Sequence, residues 1–197
     1  MATLKVMQSL ESPVCLLHTE SPDQIKARLA QIGVRYEHRG ALDMDSLAAD
    51  EAVLAAAPLA VDGVGGGEPG WKLEVSRMDT GEASCAEQGD IGAARARYLA
   101  EHFHEEDEVW MFVSGRCVFY VRVADTVYVV MCEAGDCIRI PSFTKHWFDV
   151  GARPEFCGLR LYRTSPGFVG TFTGGEFADR FPLLEDIANP AAGASVR

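Results

Sequence analysis

The sequence has 197 residues, of which 48% are hydrophobic and 24% are charged, the size and composition of one globular domain with a substantial core. Its formal net charge of −11 argues against nucleic acid and anionic membrane surfaces as partners, because both attract basic patches. The charge instead favours a protein that acts on a small molecule. No segment is apolar and long enough to span a bilayer, and the N-terminus lacks a secretory signal.

Residues 1–70 are predicted to form a helical N-terminal part. The stretch SPDQIKARLAQIG at 21–33 has a serine N-cap, a proline at the first helical position, a capping-box glutamine and a terminal glycine. Its isoleucine and leucine residues make one apolar stripe at helical spacing. A short strand at 34–37 and a second helix at 46–57 follow, and nothing in these elements suggests chemistry.

Three stretches connect this part to the rest of the chain. The glycine-rich residues 61–70 predict a flexible connection, because the Lys-Ser/Thr ending of a phosphate-binding loop is missing. Residues 71–78, WKLEVSRM, alternate and predict a strand. Residues 80–94 are small and polar and predict a loop, which is either a mobile connection or a cover over a site.

The character of the sequence changes between residues 108 and 173. Short runs rich in Val, Phe, Tyr and Ile are separated by turn signals at intervals of about eight to twelve residues. This rhythm is typical of an antiparallel all-β sandwich or barrel. We predict a single domain over 1–197, with a β-barrel at 71–183 and a disordered tail at 184–197.

Residues 101–110, EHFHEEDEVW, indicate half of a metal site. Residues two apart on a strand share a face, so His102 and His104 are placed to offer two imidazoles to one metal. Glu108 has the same parity but would lie ~13 Å further along an extended strand, so a bend in the three acids before it must bring it back. His146 would come from a separate strand. The alternative is a solvated strand end, because His-x-His alone is a weak signal.

These residues resemble the two motifs of the cupin superfamily. The first motif is matched by His102, His104, Glu108 and Gly115, and the second by Gly135, Pro141 and His146. The turn residues depart from the pattern: the expected glycine, glycine and asparagine are replaced here by Ala96, Phe143 and Val150.

A narrower resemblance, to the acireductone dioxygenase family of methionine salvage, covers about residues 21–183. It rests on the segments EHFHEEDEVWMFVSG, CEAGDCIRIPSFTKHWFD, LRLY and FTG. It implies a mainly β, cupin-type antiparallel β-barrel (jelly roll) with a few flanking helices in the N-terminal part. It also implies a metal-dependent dioxygenase that binds one Fe(II) or Ni(II) per chain through His102, His104, Glu108 and His146, a donor set that suits both metals.

The reaction that the resemblance implies is oxidative cleavage of 1,2-dihydroxy-3-keto-5-methylthiopentene by O2. Similar enzymes give 4-methylthio-2-oxobutanoate and formate with Fe(II), and 3-methylthiopropanoate, formate and carbon monoxide with Ni(II). Four protein ligands on an octahedral metal leave two positions for an enediol. Two alternatives remain: a cupin isomerase or lyase that uses Zn or Mn, and a non-catalytic metal-binding cupin.

Two charged residues beside the ligands are candidate catalytic groups. Glu101 is matched in the family's active site, but its parity turns it away from His102, so the alternative is a surface carboxylate. Arg160 interrupts an apolar run. Pointing inward it would stabilise the oxyanions of a bound enediolate, and pointing outward it would be an ordinary surface arginine.

Two aromatic residues are candidate substrate contacts. Phe148 shares the parity of His146 and would give an apolar wall for a methylthio tail, whereas Trp147 would point into the opposite layer. Trp110 faces the same side as Glu108 and stands where family members often carry arginine, which makes the predicted pocket more apolar and less cationic.

The six cysteines include no CxxC pair, so the usual zinc or redox spacing is missing. Four of them lie in strand-like apolar stretches, where free cysteine behaves as a small hydrophobe. We therefore expect a reducing, cytoplasmic setting. The resemblance further implies a monomer.

Overall fold

The computed structural model describes residues 1–9, 11–40, 64, 70–79, 91–164 and 169–189. Within these ranges the strands are β1 Thr3–Gln8, β2 Val14–Thr19, β3 Arg35–His38, β4 Lys72–Asp79, β5 His102–Phe103, β6 Glu108–Ser114, β7 Arg116–Val123, β8 Thr126–Glu133, β9 Asp136–Ile140, β10 Lys145–Asp149, β11 Glu155–Tyr162 and β12 Thr171–Phe172. The α-helices are α1 Pro22–Ala30, α2 Ile91–Leu99 and α3 Leu184–Ala188, and a 3-10 turn covers Ala178–Arg180.

The strands form two antiparallel sheets that pack face to face. The larger sheet has the order β12-β5-β10-β7-β8-β1-β2, and the smaller has the order β3-β9-β6-β11-β4. One apolar core lies between them and includes Phe119 and Phe148 from the larger sheet and Phe112, Ile138 and Phe156 from the smaller. This architecture confirms the expected mainly β, cupin-type jelly roll.

The outer face of the larger sheet is also covered. Alternate residues of β7 point to opposite sides, so Tyr120 lies outside the central core and packs with Trp147 against Phe181, Leu184 and Ile187. Residues 184–188 therefore form a packed helix, which corrects the predicted disordered tail over this part. Residues 190–197 lie outside the described residues.

The N-terminal part contains more strand than the sequence predicts. Helix α1 agrees with its predicted position, and the Ser21 side chain caps it by accepting from the backbone N–H of Gln24. However, β1 pairs with β8 and β2 pairs with β1, so both extend the larger sheet. The expectation of a helical N-terminal part is therefore wrong for residues 3–8 and 14–19, which form strands, and agrees with the structure at α1. The predicted second helix lies outside them, and the single-domain boundaries stay a prediction.

The predicted strand at 71–78 is confirmed as β4, which pairs with β11. The predicted loop at 80–94 is wrong at its end, because α2 begins at Ile91; residues 80–90 lie outside the described residues. No helix within the described ranges is long and apolar enough to cross a membrane.

Helix α2 is attached to the larger sheet and to α3 through Arg95. The guanidinium donates to the buried carboxylate of Asp149 at 2.8 and 3.0 Å and to Glu185 at 2.9 Å. Asp149 also accepts from the backbone N–H of Leu184 at 2.8 Å. These contacts place one side of α2 beside β10, which carries His146.

Candidate metal centre

Three neighbouring strands and the loop after β5 bring the four predicted ligands together. His102 on β5 is the direct cross-strand partner of His146 on β10, and His104 follows in the loop after β5. Glu108 is the first residue of β6, which belongs to the other sheet. The four side chains therefore meet between the two sheets, and all four are buried.

The distances suit one metal ion. The ligand atoms of His102, His104 and His146 all lie within 4.8 Å of one another. Glu108 Oε2 lies 3.1 Å from His146 Nε2, and Glu108 Oε1 lies 3.9 Å from His104 Nε2. Four donor atoms around one point are what coordination bonds of ~2 Å require.

Backbone carbonyls orient two of the imidazoles. His102 Nδ1 lies 2.7 Å from the carbonyl oxygen of Ala100, and His146 Nδ1 lies 2.8 Å from that of Thr144. A carbonyl oxygen only accepts, so each Nδ1 carries the hydrogen and each Nε2 keeps its lone pair. This tautomer is the one that ligating histidines need.

The protonation states also favour ligation. Burial, together with repulsion from His146, lowers the pKa of His102 to about 4, so this imidazole is neutral at pH 7. Burial would raise the pKa of Glu108, but His146 and His104 outweigh it and lower the pKa to about 2. Burial would lower the pKa of His146, and the Glu108 carboxylate raises it instead. The centre thus contains a firmly anionic carboxylate beside imidazoles.

Two buried atoms of the centre test its fit to a metal. Within the described residues, His146 Nε2 and Glu108 Oε2 make no hydrogen bond of acceptable geometry. A buried polar atom without a hydrogen bond lowers the stability of a folded protein by about 1–3 kcal/mol. A divalent cation would satisfy both, and three imidazole nitrogens with one carboxylate suit Fe(II) and Ni(II) as well as Zn. The residues present therefore fit a metal ion.

The bend before Glu108 is fixed by two of its three acids. Asp107 accepts from Arg139 Nε at 2.7 Å and from the backbone N–H of Ser142 at 2.9 Å. Glu106 accepts from the backbone N–H of Thr164 at 2.9 Å. Glu106 and Asp107 therefore connect the predicted bend to neighbouring segments of the chain.

The turn between β9 and β10 connects to the loop that carries His104. The backbone N–H of Phe143 donates to the His104 carbonyl oxygen at 2.8 Å. Phe143 has a φ of +59°, in the region that favours glycine. The position where the cupin pattern has glycine thus keeps a glycine-like backbone without a glycine.

A cavity of about 510 Å³ opens onto the four ligands. Its walls include the predicted residues Trp110, Phe148 and Arg160. They also include residues to which the sequence analysis assigns no role, namely Glu74, Met78, Ala94, Arg97, Tyr98, Tyr162, Val169, Gly170 and Phe172.

The two predicted aromatic residues lie side by side in this cavity. The Trp110 and Phe148 rings are stacked, with centroids 5.8 Å apart and planes 16° apart. The Trp110 indole N–H donates to Glu108 Oε1 at 2.9 Å. Trp147 points into the opposite layer, as its parity predicts, and stacks on Tyr120 with a centroid distance of 5.0 Å.

The Arg160 side chain points inward. It lines the cavity, with its guanidinium carbon 5.8 Å from the Trp110 ring centroid and Nη2 3.3 Å from Glu74 Oε2. Burial lowers the pKa of His104, and repulsion from His146 and, to a smaller extent, from Arg160 adds to this effect. Arg160 therefore supplies positive charge beside the metal ligands.

The Glu101 side chain lies in the interior of the protein, among residues that do not line the cavity. Its side chain is buried, so it is not a surface carboxylate. Both carboxylate oxygens accept from Arg122 Nη1, at 3.1 and 3.2 Å, and Thr173 Oγ1 donates to Oε1 at 2.8 Å. It is not among the cavity-lining residues of the described structure. Its catalytic role stays a prediction, and its observed contacts attach β5 to the segment after β12.

One side of the cavity is closed by the segment around β12. Phe172 on β12 pairs with His102, and a Cβ on Gly170 would lie 3.2 Å from His102 Cδ2. Opposite, Tyr98 of α2 meets Phe148 edge-on with centroids 5.9 Å apart. The only sequence signal for these walls is the FTG segment at 172–174.

Comparison with known proteins agrees with this site. A family model described as "ARD/ARD' family" matches residues 71–169. An acireductone dioxygenase from a Synechococcus strain is 40% identical over 175 residues, which covers 88% of this chain and 91% of the relative. The acireductone dioxygenase of Parvibaculum lavamentivorans is 40% identical over 187 residues, 94% of this chain and 98% of the relative.

A solved structure supports the fold. It is described as "Acireductone dioxygenase from Bacillus anthracis with cadmium ion in active center" and has a TM-score of 0.66 at 20% identity. The match covers 87% of this chain and 98% of that structure. The sequence matches extend over most of both chains, and this chain therefore belongs to the acireductone dioxygenase family.

Proposed function

We propose that this chain is an acireductone dioxygenase that cleaves 1,2-dihydroxy-3-keto-5-methylthiopentene with O2. The observation that carries the proposal is the convergence of His102, His104, Glu108 and His146 on one point at the wall of the cavity. Family membership adds the reaction class. Metal ligands and a pocket of substrate size in one place are what a metal-dependent dioxygenase needs.

The four ligands would hold one Fe(II) or Ni(II) ion. The bound ion would supply Lewis-acid and redox chemistry toward the enediol oxygens of the substrate. Fe(II) would give 4-methylthio-2-oxobutanoate and formate, and Ni(II) would give 3-methylthiopropanoate, formate and carbon monoxide. The donor set suits either metal, so metal supply decides which products form.

The other cavity residues bind and orient the substrate. Arg160 places positive charge beside His104, where it stabilises the negative charge of the enediolate oxygens. Phe148, Tyr98 and Met78 form an apolar wall, which suits the methylthio tail because it removes apolar surface from water. Buried rings around the centre also exclude water from the reacting atoms.

An oxygen electrode tests the proposal directly. Metal-free protein is reconstituted with Fe(II) or Ni(II) and mixed with freshly generated acireductone. We expect oxygen uptake with each metal, formate in both reactions and carbon monoxide only with Ni(II). Absence of turnover with both metals would refute the proposal, and product formation without oxygen uptake would indicate an isomerase or lyase.

We further propose that the enzyme acts in the cytoplasm on this small molecule as a monomer. All five cysteines in the described residues are free thiols, which supports a reducing compartment. Light scattering at micromolar concentration would test the monomer prediction. A mass of two chains would contradict it.

A further inference from the structure

We propose that Trp110 is a positioning residue that makes Glu108 a one-oxygen ligand. In this role its indole N–H engages Glu108 Oε1, leaves Oε2 for the metal, and so keeps two coordination positions open for a substrate that binds through two oxygens. The inference rests on the metal site of the proposed function and adds a specific task for a residue outside the ligand set.

The two oxygens of Glu108 have different surroundings. Oε1 accepts a hydrogen bond from Trp110 Nε1 at 2.9 Å. Oε2 has no hydrogen bond of acceptable geometry within the described residues and lies 3.1 Å from His146 Nε2. Oε1 lies 3.9 Å from His104 Nε2, so Oε2 is the carboxylate oxygen nearer to a histidine nitrogen. Moving Oε1 closer to the histidines would stretch its hydrogen bond from the indole, which therefore favours Oε2 as the oxygen that meets the metal.

The indole ring itself has little freedom to move. It is stacked with the rings of Phe148 and Phe112, at centroid distances of 5.8 and 6.3 Å. The Phe156 ring packs against it in a tilted orientation, with a centroid distance of 5.8 Å. Space for the ring depends on Gly158 of β11, where a Cβ would lie 3.2 Å from Trp110 Cε3. Since close packing fixes the ring, the position of its N–H is fixed as well.

The number of Glu108 oxygens on the metal decides what else can bind. Three imidazoles and one carboxylate oxygen on an octahedral metal leave two positions. If the second oxygen of Glu108 also bound the metal, only one coordination position would remain open. An enediol that binds through both oxygens needs two positions, whereas a ligand that binds through one atom needs only one. Loss of the indole hydrogen bond should therefore weaken two-oxygen ligands selectively.

The test compares two small ligands on Co(II)-loaded protein, followed by its visible spectrum. Acetohydroxamate binds metals through two oxygens, and azide binds through one nitrogen. Trp110→Phe keeps an aromatic ring but removes the N–H donor. We expect its dissociation constant for acetohydroxamate to rise about 10-fold while that for azide stays unchanged. Unchanged acetohydroxamate binding, or an equal loss for both ligands, would overturn the inference.

A matched control separates the hydrogen bond from ring packing. Phe156→Leu loosens the packing against the indole but leaves the N–H in place, and Phe156 does not line the cavity. We expect this variant to bind both ligands as the unaltered chain does. If it loses acetohydroxamate selectively, packing rather than the hydrogen bond is responsible and the inference fails.

A second measurement needs no substitution. In Zn(II)-loaded protein the proton NMR spectrum should contain one indole N–H that is shifted downfield and exchanges slowly, because a carboxylate accepts from it. A rapidly exchanging Trp110 N–H would overturn the inference. These measurements do not depend on turnover. If Trp110→Phe weakens acetohydroxamate binding selectively but the unaltered protein has no dioxygenase activity, only the proposed function is refuted. If the protein is active but Trp110→Phe binds acetohydroxamate normally, only this inference is refuted.

Discussion

At the scale of single residues, two of the predicted metal ligands, His102 and His146, are oriented by backbone carbonyl groups. The Nδ1 atoms of His102 and His146 are engaged by carbonyl oxygens two residues earlier in the chain. Side-chain substitution near these histidines leaves the carbonyl oxygens in place, so both imidazoles keep their tautomer. Metal binding is therefore most sensitive to removal of a ligand itself.

His104→Ala should abolish metal retention. The variant loses one of three imidazoles whose ligand atoms lie within 4.8 Å of one another, and alanine offers no donor atom in its place. Metal content after gel filtration, measured by mass spectrometry, would be close to zero. His38→Ala is the control, because His38 is a part-exposed histidine that contacts Asp136 instead. Wild-type metal content in His104→Ala would remove His104 from the ligand set.

Glu101→Gln separates the two possible tasks of Glu101. The carboxylate is buried against Arg122 and Thr173, so the substitution should lower the free energy of unfolding by about 1–3 kcal/mol and leave metal content unchanged. Urea unfolding measures this, with the exposed Glu105→Gln as control. Loss of turnover with unchanged stability would instead support the predicted catalytic role.

At the scale of secondary-structure elements, the turn between β6 and β7 depends on Gly115. It has a φ of +75°, and a Cβ there would lie 1.8 Å from the Glu155 carbonyl oxygen at the start of β11. A side chain would therefore both strain the turn and push β11 away from β6. These two strands carry Arg160, Glu108 and Trp110, so the turn supports the cavity from outside.

Gly115→Ala should destabilise the protein more than Gly174→Ala. Both glycines have a positive φ, +75° and +76°, but nothing lies within 4 Å of a Cβ at Gly174. Gly174→Ala, the control, should therefore lower the free energy of unfolding only by the backbone strain, about 1–2 kcal/mol. Gly115→Ala should lower it further because its Cβ also clashes with the Glu155 carbonyl oxygen. Thermal unfolding of both variants measures the difference, and equal costs would contradict the prediction.

The elements that could be predicted are those whose own sequence carries the signal. Helix α1 has a cap, an apolar stripe with Ile25 and Leu29 buried, and a terminal glycine. Strands β6 to β11 have long runs of β-branched and aromatic residues. By contrast, α2 has no acidic residue in its first turn, α3 has only five residues, and β2 has an exposed, non-alternating pattern. Their structure depends on tertiary contacts such as the pairing of β2 with β1, which overrides weak local preference.

The same reasoning applies to the site. The resemblance of the segments around His102, His104, Glu108 and His146 to the motifs of the family predicted these four residues, and the structure brings them together. Strand parity predicted the inward direction of Trp110 and Phe148. The remaining walls come from Tyr98, Gly170 and other residues of separate segments, and only folding brings these segments together. Parity placed Glu101 away from His102 but did not reveal its buried partner Arg122.

At the scale of the whole molecule, the metal centre connects the two sheets. His102 and His146 belong to the larger sheet and Glu108 to the smaller. A bound ion would therefore join both halves of the jelly roll, and unfolding would separate the ligands. Binding free energy at such a site contributes to the stability of the fold.

Metal removal should lower the stability of the whole protein. At a free metal concentration of 100 times the dissociation constant, binding stabilises the folded state by about 2.7 kcal/mol. Scanning calorimetry with Ni(II) and with a chelator should show a higher melting temperature for the loaded form. His104→Ala should show no such shift, and an equal shift in that variant would place the stabilising metal elsewhere.

The two ion pairs of Arg95, which hold α2 at the cavity, should differ in their sensitivity to ionic strength. One acceptor, Asp149, is fully buried, whereas the side chain of Glu185 is 46% exposed. Dissolved salt screens the exposed pair and leaves the buried one almost untouched. High salt would thus weaken the pair between Arg95 and Glu185 before it weakens the pair between Arg95 and Asp149. Tyr98, which α2 carries into the cavity, therefore keeps its place in concentrated electrolyte.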